Sequence, residues 1–544
     1  MSVDTNNAAF QDALNLIQYT RQSVFLTGKA GTGKSTFLRY VCENTKKKHV
    51  VLAPTGIAAI NAGGSTMHSF FKLPFYPLLP DDPNLSLQRG RIHEFFKYTK
   101  PHRKLLEQIE LVIIDEISMV RADIIDAIDR ILRVYSHNLR EPFGGKQLLL
   151  VGDVFQLEPV VKNDEREILN RFYPTPYFFS ARVFGQIDLV SIELQKVYRQ
   201  TDPVFVGVLD HIRNNTAGAA DLQLLNTRYG SQIEESEADM YITLATRRDT
   251  VDSINEKKLA ELPGDPITFE GVIEGDFPES SLPTSQELVL KPGAQIIFIK
   301  NDFDRRWVNG TIGVIAGIDE EEETIYVITD NGKECDVKRE SWRNIRYRYN
   351  EKTKEIEEEV LGSFTQYPIR LAWAITVHKS QGLTFSRVVI DFTGGVFAGG
   401  QAYVALSRCT SLDGIQLKKP INRADVFVRP EIVNFAGRFN DRQAIDKALK
   451  QAQADVQYAA ASRAFDKGDM EECLEQFFRA IHSRYDIEKP IPRRFIRRKL
   501  GVINTLKEQN KKLKEQMREQ QERLRQYAHE YLFCLLYTSD AADE

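Results

Sequence analysis

The sequence contains little cysteine, and its few cysteines lie far apart. Only five occur among the 544 residues, and no two of them form a C-x-x-C pair. This spacing argues against a zinc site held by cysteines and against a disulfide framework, and it favours a reducing compartment.

Long hydrophobic runs are also missing. No stretch of 18 apolar residues occurs, so we expect no membrane span and no membrane partner. The N-terminal segment has neither the apolar core of a signal peptide nor the arginine-rich, acid-poor character of a transit peptide. The simplest expectation is a protein of the prokaryotic cytoplasm.

The chain has no large excess of either charge. Its net charge is only −4, with 27% charged and 42% hydrophobic residues. This balance excludes a uniformly basic, histone-like nucleic-acid binder, although a local groove can still be basic. At this length we expect about three to four domains.

The strongest motif is GKAGTGKST at residues 28–36. It fits the P-loop pattern G-x-x-x-x-G-K-[ST], and it lies between a strand-like apolar run and a sequence that can open a helix. In such a loop, backbone N–H groups approach phosphates, Lys34 reaches the β- and γ-phosphates, and the Ser35 hydroxyl binds Mg²⁺. The predicted nucleotide-binding residues of this loop are Gly28, Ala30, Gly31, Thr32, Gly33, Lys34, Ser35 and Thr36.

Two further motifs follow apolar runs that predict strands of a parallel sheet. LVIIDEISMV places Asp115 and Glu116 at a strand end, where the first carboxylate would hold Mg²⁺ and the second would polarise the attacking water. VGDVFQLEPV places Gln156 where a polar side chain can sense the γ-phosphate. Adjacent acids at a strand end favour hydrolysis by water over transfer to a small-molecule acceptor.

Two arginines lie in a second α/β region that begins near Val190. Arg199 is in VYRQTDP and Arg408 is in YVALSRC. A motor that binds nucleotide between two lobes needs positive charge from the second lobe, and such arginines contribute about 10³ to 10⁵ in rate. We therefore assign both arginines to the catalytic set.

Two segments interrupt this alternation of strands and helices. HSFFKLPFYPLLPDDPNLSLQRG is too rich in proline and aromatic residues for the sheet and is interpreted as an insertion. Residues 291–361 alternate as short strands, with turn signals at Asn309-Gly310 and Asn331-Gly332, and predict a small antiparallel β-barrel.

The chain is predicted to be helical after about residue 435. AASRAFDKGDMEECLEQFFRAI resembles one helix–turn–helix unit of the tetratricopeptide kind. A heptad pattern follows at Ile503, Leu506, Asn510, Leu513, Met517, Gln520, Leu524, Tyr527 and Tyr531.

The heptad region is strongly basic. From Ile491 to Tyr531 there are 12 Lys and Arg against 5 Asp and Glu, a net charge of +7, so the other residues carry −11. This helix could dimerise, bind nucleic acid or lie along the protein as a single solvated helix, and the polar Asn510 and Gln520 weaken the first alternative. Self-association or protein docking is assigned to residues 500–531. The last stretch, CLLYTSDAADE, breaks both patterns and is interpreted as non-native sequence.

Seven motifs, in this order, resemble a known family. GKAGTGKST, APTGIAAINAGGSTMHSFF, IIDEISMVRADIIDAIDRIL, GDVFQLEPV, VYRQTDPVF, WAITVHKSQGLTF and YVALSRC together resemble the Pif family of superfamily one DNA helicases, relatives of RecD. The match runs from about Gln11 to about Ile421. It implies an α/β fold of two RecA-like parallel-sheet lobes, and a 5′-to-3′, ATP-dependent and Mg²⁺-dependent motor on single-stranded DNA.

The resemblance also extends the predicted site. Gln11 matches the glutamine that reads adenine, and Gln381 and Gly382 join the nucleotide site. The positions expected to line the DNA path are Pro54, Thr55, Gly56, Thr66, His68, His378, Lys379 and Ser380. Phe71 is added because aromatic rings in TMHSFFKLPFYP can stack on bases, the alternative being an aromatic mini-core that supports a loop.

The same resemblance implies an identity for each of the two insertions. Residues 68–104 correspond to the strand-splitting wedge and residues 291–361 to the family's Src-homology-like insertion. The predicted domains are a first lobe at 1–189, a second lobe at 190–435, a helical hairpin region at 436–495, a basic coiled-coil-like helix at 496–531 and a non-native tail at 532–544. One position departs from the family, because Glu158 stands where a proline is usual. An acid there could weaken the contact with DNA or simply face solvent, and we expect the latter.

The expected substrates are single-stranded and forked duplex DNA, with G-quadruplexes and RNA–DNA hybrids left open. Replication, recombination, repair or telomere maintenance is the expected setting, with association with the nucleoid. Two rival functions are a P-loop switch that regulates protein partners through the C-terminal helices, and a RecD-like subunit of a larger nuclease complex.

Overall fold

The computed structural model describes residues 4, 7–85, 91–200, 202–230, 240–304, 306–350, 352–353, 355–485, 488 and 490–540. The chain divides into two compact units, residues 1–442 and 443–544. None of the described helices is both long and apolar enough to cross a lipid bilayer.

The larger unit begins with a parallel sheet of six strands. They are β1 (Val24–Gly28), β2 (His49–Ala53), β3 (Ser65–Thr66), β4 (Leu111–Ile114), β5 (Gln147–Val151) and β6 (Val190–Leu194). Their order across the sheet is β3-β2-β4-β5-β1-β6. Every residue of β1, β4 and β5 is buried, as expected for strands covered by helices on both faces.

Eight α-helices accompany this sheet among the described residues. They are α1 (Ala8–Tyr19), α2 (Lys34–Asn44), α3 (Gly56–Ala62), α4 (Met67–Phe71), α5 (Arg91–Phe96), α6 (Lys100–Gln108), α7 (Ala122–Tyr135) and α8 (Asn163–Leu169). The segment predicted as a wedge contains α4, α5 and part of α6, and its residues 86–90 lie outside the described residues.

The second half of this unit combines parallel and antiparallel strands. In chain order they are β7 (Ile242–Ala245), β8 (Ile267–Glu270), β9 (Val272–Gly275), β10 (Glu287–Leu290), β11 (Gln295–Phe298), β12 (Ile312–Asp319), β13 (Thr324–Thr329), β14 (Glu334–Val337), β15 (Glu340–Asn350), β16 (Glu355–Gln366), β17 (Ile369–Leu371), β18 (Ala374–Thr376), β19 (Val388–Asp391) and β20 (Ile415–Leu417). Its helices are α9 (Pro203–Arg213), α10 (Ala219–Asn226), α11 (Arg248–Glu261), α12 (Gln401–Leu406) and α13 (Pro430–Ala436).

A second parallel sheet has the strand order β18-β7-β19-β20. Between β7 and β18 lie three antiparallel sheets, of which the largest has the order β14-β13-β12-β11-β17. The predicted antiparallel insertion is therefore present, but its strands begin at Ile267 and end at Leu371, beyond both bounds expected from the sequence.

The two halves of this unit are joined at the edge strand β6. This strand pairs in parallel with β1 from Val190 to Leu194, so the first sheet extends past residue 189, where the sequence analysis ended the first lobe. Residues 429–440, called the return segment below, run back from the second sheet to β6. The Asn440 side chain accepts a hydrogen bond from the Glu193 N–H at 2.8 Å and donates one to the Glu193 carbonyl at 3.3 Å.

The smaller unit consists of three helices, α14 (Arg442–Asp466), α15 (Met470–Arg484) and α16 (Pro490–Asp540), the first of which begins one residue before the unit. Ala461 and Ala464 of α14 pack with Leu474 of α15 and Ile503 of α16. Beyond Asn510 the described side chains of α16 are exposed, including the heptad residues Leu513, Met517, Leu524, Tyr527 and Tyr531. The heptad is therefore covered only at its N-terminal end by the described residues.

Candidate functional site

The P-loop connects the carboxyl end of β1 to the first turn of α2. The Lys34 ammonium donates hydrogen bonds to the carbonyl oxygens of Gly28 at 2.7 Å and Lys29 at 3.0 Å. Burial lowers the pKa of Lys34, and the nearby carboxylates of Asp153 and Glu116 oppose that shift. The cation is thus held among backbone oxygens that phosphate oxygens can replace.

A cavity of about 520 Å³ lies between the two parallel-sheet lobes. Its lining combines residues that are far apart in the sequence. The predicted site residues around it are Ala30, Gly31, Thr32, Gly33, Lys34, Ser35, Thr36, Glu116, Gln156, Arg199, Gly382 and Arg408. The first lobe therefore supplies the P-loop and an acid, while the second supplies two guanidinium groups.

The acidic pair lies directly after β4. Glu116 has a left-handed backbone with φ of 50° and ψ of 42°, which is uncommon for a residue other than glycine. Its N–H donates to the Asp115 carboxylate at 3.0 Å. Burial raises the pKa of both acids, and the charge of Asp115 raises that of Glu116 further. A strained, half-buried carboxylate with a raised pKa is typical of a general base.

Arg408 is almost completely buried, and its guanidinium is held by main-chain oxygens. It donates to the carbonyls of Val404 at 2.9 Å and of Ser380 and Leu383 at 3.3 Å each. Burial, followed by the charge of Arg199, lowers the pKa of Arg408 to about 9. These bonds fix the direction of the guanidinium toward the cavity while leaving its charge without a carboxylate bond among the described residues.

Arg199 packs against the P-loop itself. A Cβ added at Gly31 would lie 2.4 Å from the Cβ of Arg199, and Gly31 has a φ of +81°. The Tyr198 N–H also donates to the Gly31 carbonyl at 2.9 Å. Only glycine fits at this position, because both the backbone conformation and the close approach exclude a side chain.

Two contacts between the lobes were not predicted from the sequence. The Tyr403 hydroxyl accepts a hydrogen bond from the Ala30 N–H at 3.0 Å, inside the P-loop. The Arg213 guanidinium is buried and forms ion pairs with Asp153 at 3.1 Å and Glu193 at 2.8 Å. Tyr403 lies in the YVALSRC motif, which offered a signal, whereas no motif surrounds Arg213.

A second cavity, of about 800 Å³, adjoins the first, since Ser35, Glu116 and Gly382 line both. The other predicted residues that line it are Thr55, Asp115, His378, Lys379 and Gln381. The Gln381 side-chain nitrogen is buried and has no hydrogen-bond partner among the described residues. In the described part of the chain, no group of three or more His, Cys, Asp or Glu is placed so that it could hold a metal ion by itself.

Comparison with known proteins identifies the family and the fold. A sequence model described as PIF1-like helicase matches residues 4–211. The ATP-dependent DNA helicase Pif1 of Campylobacter jejuni is 34% identical over 414 residues, which cover 73% of this chain and 88% of that protein. This chain belongs to the Pif1-like helicase family. It is therefore an ATP-hydrolysing DNA helicase, and its two parallel sheets are the expected RecA-like lobes.

Solved structures and a human relative agree with this membership. Pif1 from Bacteroides in complex with ADP-AlF4 is 41% identical with a TM-score of 0.73, and the match covers 81% of this chain and 97% of that one. Bacteroides Pif1 bound to single-stranded DNA is also 41% identical, with a TM-score of 0.58, covering 82% of this chain and 99% of that one. Human PIF1 is 32% identical over 408 residues, covering 73% of this chain and 58% of the human protein.

The residue at which this helicase departs from the family pattern does not face solvent, so that prediction is wrong. The Glu158 carboxylate accepts hydrogen bonds from Arg429 Nε at 2.7 Å and from the Tyr177 hydroxyl at 3.1 Å. Its side chain is only 10% exposed. Arg429 begins the return segment, so a residue distant in sequence determines where Glu158 points.

Two residues predicted to contact DNA are inaccessible in this structure. Phe71 is fully buried in the core of the first lobe, so the aromatic mini-core was the correct alternative for this ring. Ser380 is also fully buried, and its hydroxyl donates to the Val377 carbonyl at 2.7 Å. Phe75 of the same stretch is accessible, since it is 84% exposed, and it stacks on His68 with centroids 5.1 Å apart.

The remaining predicted residues take local structural positions. Thr55 and Thr66 accept hydrogen bonds from main-chain N–H groups as the N-caps of α3 and α4. Pro54 and Gly56 flank the first of these caps, and Gln11 lies in α1. Gln11 does not line the first cavity, although Asn7 and Phe10 of the same segment do.

Proposed function

We propose that this helicase hydrolyses ATP in the cavity between its two lobes and moves 5′ to 3′ along single-stranded DNA. One observation carries the assignment of the site. The P-loop, Glu116 and Gln156 of the first lobe face the same cavity as Arg199 and Arg408 of the second. A nucleotide bound there would contact both lobes, so its hydrolysis can change how the lobes are held together.

Each residue has a role that its surroundings support. Lys34 would exchange its bonds to backbone carbonyls for bonds to the β- and γ-phosphates. Glu116 would take the proton from the attacking water, because its raised pKa makes it a stronger base than an ordinary glutamate. Arg199 and Arg408 would stabilise the charge that develops on the transferring phosphoryl group, and Gln156 would sense that group.

Mg²⁺ fits the donors at this site. The Ser35 hydroxyl and the Asp115 carboxylate are oxygen ligands of the kind that this ion prefers, and both line the second cavity beside Glu116. When bound, the ion neutralises charge on the phosphate oxygens. We assign the remaining P-loop residues, with Gln11, Gln381 and Gly382, to nucleotide binding.

DNA is assigned to the second cavity and the surface around it. Thr55, His378 and Lys379 line that cavity, which shares Glu116 with the ATP cavity. Bacteroides Pif1 structures include a complex with single-stranded DNA and one at forked duplex DNA. We propose the same two partners here, with the 68–104 segment splitting the duplex. The same hypothesis includes G-quadruplexes and RNA–DNA hybrids as further substrates. It also includes a role in replication, recombination, repair or telomere maintenance, and association with the prokaryotic nucleoid.

Unwinding of tailed duplexes tests direction and site together. The wild type should separate a duplex with a 5′ single-stranded tail and fail on the same duplex with a 3′ tail. Lys34→Ala and Glu116→Gln should bind the 5′-tailed duplex but leave it intact. Lys46→Ala is the matched control, because Lys46 is exposed and lies just beyond α2.

Each failure has a distinct meaning. Unwinding from the 3′ tail would contradict the proposed direction and leave the ATP site standing. Normal unwinding by Lys34→Ala or Glu116→Gln would remove the ATP site from this cavity.

A further inference from the structure

The first turns of α16 carry a face of four arginines that the motor does not use. Between Pro490 and Lys507 the sequence has six Lys and Arg and no Asp or Glu. Arg493, Arg494, Arg497 and Arg498 of this segment are all exposed. They form two pairs with i,i+4 spacing, so that each pair stands one above the other on the helix surface.

The opposite face of the same turns is fixed to the smaller unit. Ile496 and Ile503 are 4% and 7% exposed, and Ile503 packs with Leu474 and Ala461 of the neighbouring helices. At about 100° per residue, the four arginines occupy an arc of about 140° on the side away from these isoleucines. The arginines are therefore held on a folded scaffold and directed outward.

No described residue neutralises this face. None of the four arginines forms an ion pair or a hydrogen bond with any part of the chain that the structure describes. Like charges at i,i+4 destabilise a helix. The four charges thus repel one another without compensation from the described residues, which points to an external anion.

We propose that this arginine face, formed by Arg493, Arg494, Arg497 and Arg498 of α16, binds the phosphate backbone of duplex DNA without reading its sequence. Guanidinium groups match phosphate oxygens with two parallel hydrogen bonds, which favours arginine over lysine at such a surface. Duplex DNA presents one phosphate charge per about 1.7 Å of its axis, twice the density of one strand.

Single-stranded DNA fits the face less well. Its sequence-independent binding depends on aromatic rings that stack on bases, and the side chains that the structure describes on this face are all arginine. A duplex contact outside the lobes goes beyond the proposed motor, since it involves neither the ATP cavity nor a tail. It would hold the helicase near the duplex that it unwinds.

The test is binding of the full chain to a blunt 20-base-pair DNA duplex without ATP, by fluorescence anisotropy between 50 and 200 mM salt. R493Q/R494Q/R497Q/R498Q should lower the slope of log affinity against log salt by about 3 to 4, at about 0.9 per phosphate contact. Between 50 and 200 mM salt, this difference in slope means that the affinity of the wild type should fall about 150-fold more than that of the variant.

Two further variants keep the result interpretable. K511Q/K512Q/K514Q/R525Q removes the same charge from exposed positions further along α16 and should keep the wild-type slope. R493K/R494K/R497K/R498K retains the charge and should keep most of the slope, which distinguishes loss of charge from loss of folding in the glutamine variant. An unchanged slope in the glutamine variant, or an equal loss in the distal variant, would overturn the proposal. So would a loss of slope by the glutamine variant on a single strand of equal length that is as large as its loss on the blunt duplex.

Discussion

The ion pair between Glu158 and Arg429 gives a prediction that can be worked out in numbers. Arg429 begins the return segment, and the rest of that segment packs on the first lobe, where Phe435 stacks on Phe179 with centroids 4.3 Å apart. We expect Arg429→Gln to make the return segment detach more often, because the pair is one of its contacts with that lobe.

The magnitude follows from the exposure of the two partners. Hydrogen bonds to charged groups contribute about 1.5–3 kcal/mol, and fully exposed ion pairs about 0.2–1 kcal/mol. Glu158 is 10% exposed and Arg429 is 35% exposed, so the pair lies between these limits. We therefore expect it to contribute about 1–2 kcal/mol, a factor of about 5 to 30 in the local opening equilibrium.

Hydrogen exchange measured by mass spectrometry reads this equilibrium directly. Amides in 429–440 should exchange about 5 to 30 times faster in Arg429→Gln than in the wild type. Glu158→Gln should show a similar increase, and the double variant should add little to either single one, because both remove one interaction. Arg438→Gln is the matched control in the same segment, since Arg438 is exposed. Unchanged exchange in Arg429→Gln, or an equal increase in Arg438→Gln, would refute the reasoning.

Three further predictions concern the cavity and the core. Burial and the charge of Asp115 raise the pKa of Glu116 above the ordinary glutamate value of about 4.3. DNA-stimulated hydrolysis should therefore fall as the pH decreases through that raised pKa, because Glu116 loses its ionised form there. A pH–rate series that stays flat in this range would argue against Glu116 as the general base. Arg213→Met leaves the carboxylates of Asp153 and Glu193 without their buried cation, and it should lower the free energy of unfolding by about 3–5 kcal/mol, seen as a lower Tm. A Tm equal to that of the control Arg438→Met would contradict this expectation. Phe71→Ala should cost about 3–5 kcal/mol of stability, because the ring is buried. Phe75→Ala should leave the Tm unchanged and weaken binding of single-stranded DNA by about 1–3 kcal/mol, because the ring is exposed. The reverse pattern would show that the roles of the two rings were misassigned.

Much of the candidate ATP site could be predicted because its chemistry is local in the sequence. The P-loop and the acidic pair each follow an apolar strand, and parallel strands bring their carboxyl ends to one edge of a sheet. Arg199 and Arg408 were found through short motifs, and the structure places both at the cavity. Local motifs, together with the fold expected from them, were therefore enough to predict that residues of both lobes surround one cavity.

The parts that were missed depend on contacts between distant residues. Glu158 and Arg429 are 271 positions apart, so nothing beside Glu158 indicates that its charge is compensated. Phe71 and Phe75 lie in one aromatic stretch, and only tertiary packing decides that the first is buried and the second exposed. Burial of a ring is set by what covers it, which a short stretch of sequence does not contain.

The claim that the second lobe completes the ATP site is tested most directly with Arg199→Gln. Hydrolysis in the presence of single-stranded DNA would be measured beside binding of a fluorescent ATP analogue to the same preparation. The account predicts that hydrolysis falls by about 10³ or more, while the affinity for the analogue stays within about tenfold of the wild type. Hydrolysis close to the wild-type rate would contradict a catalytic site shared by the two lobes.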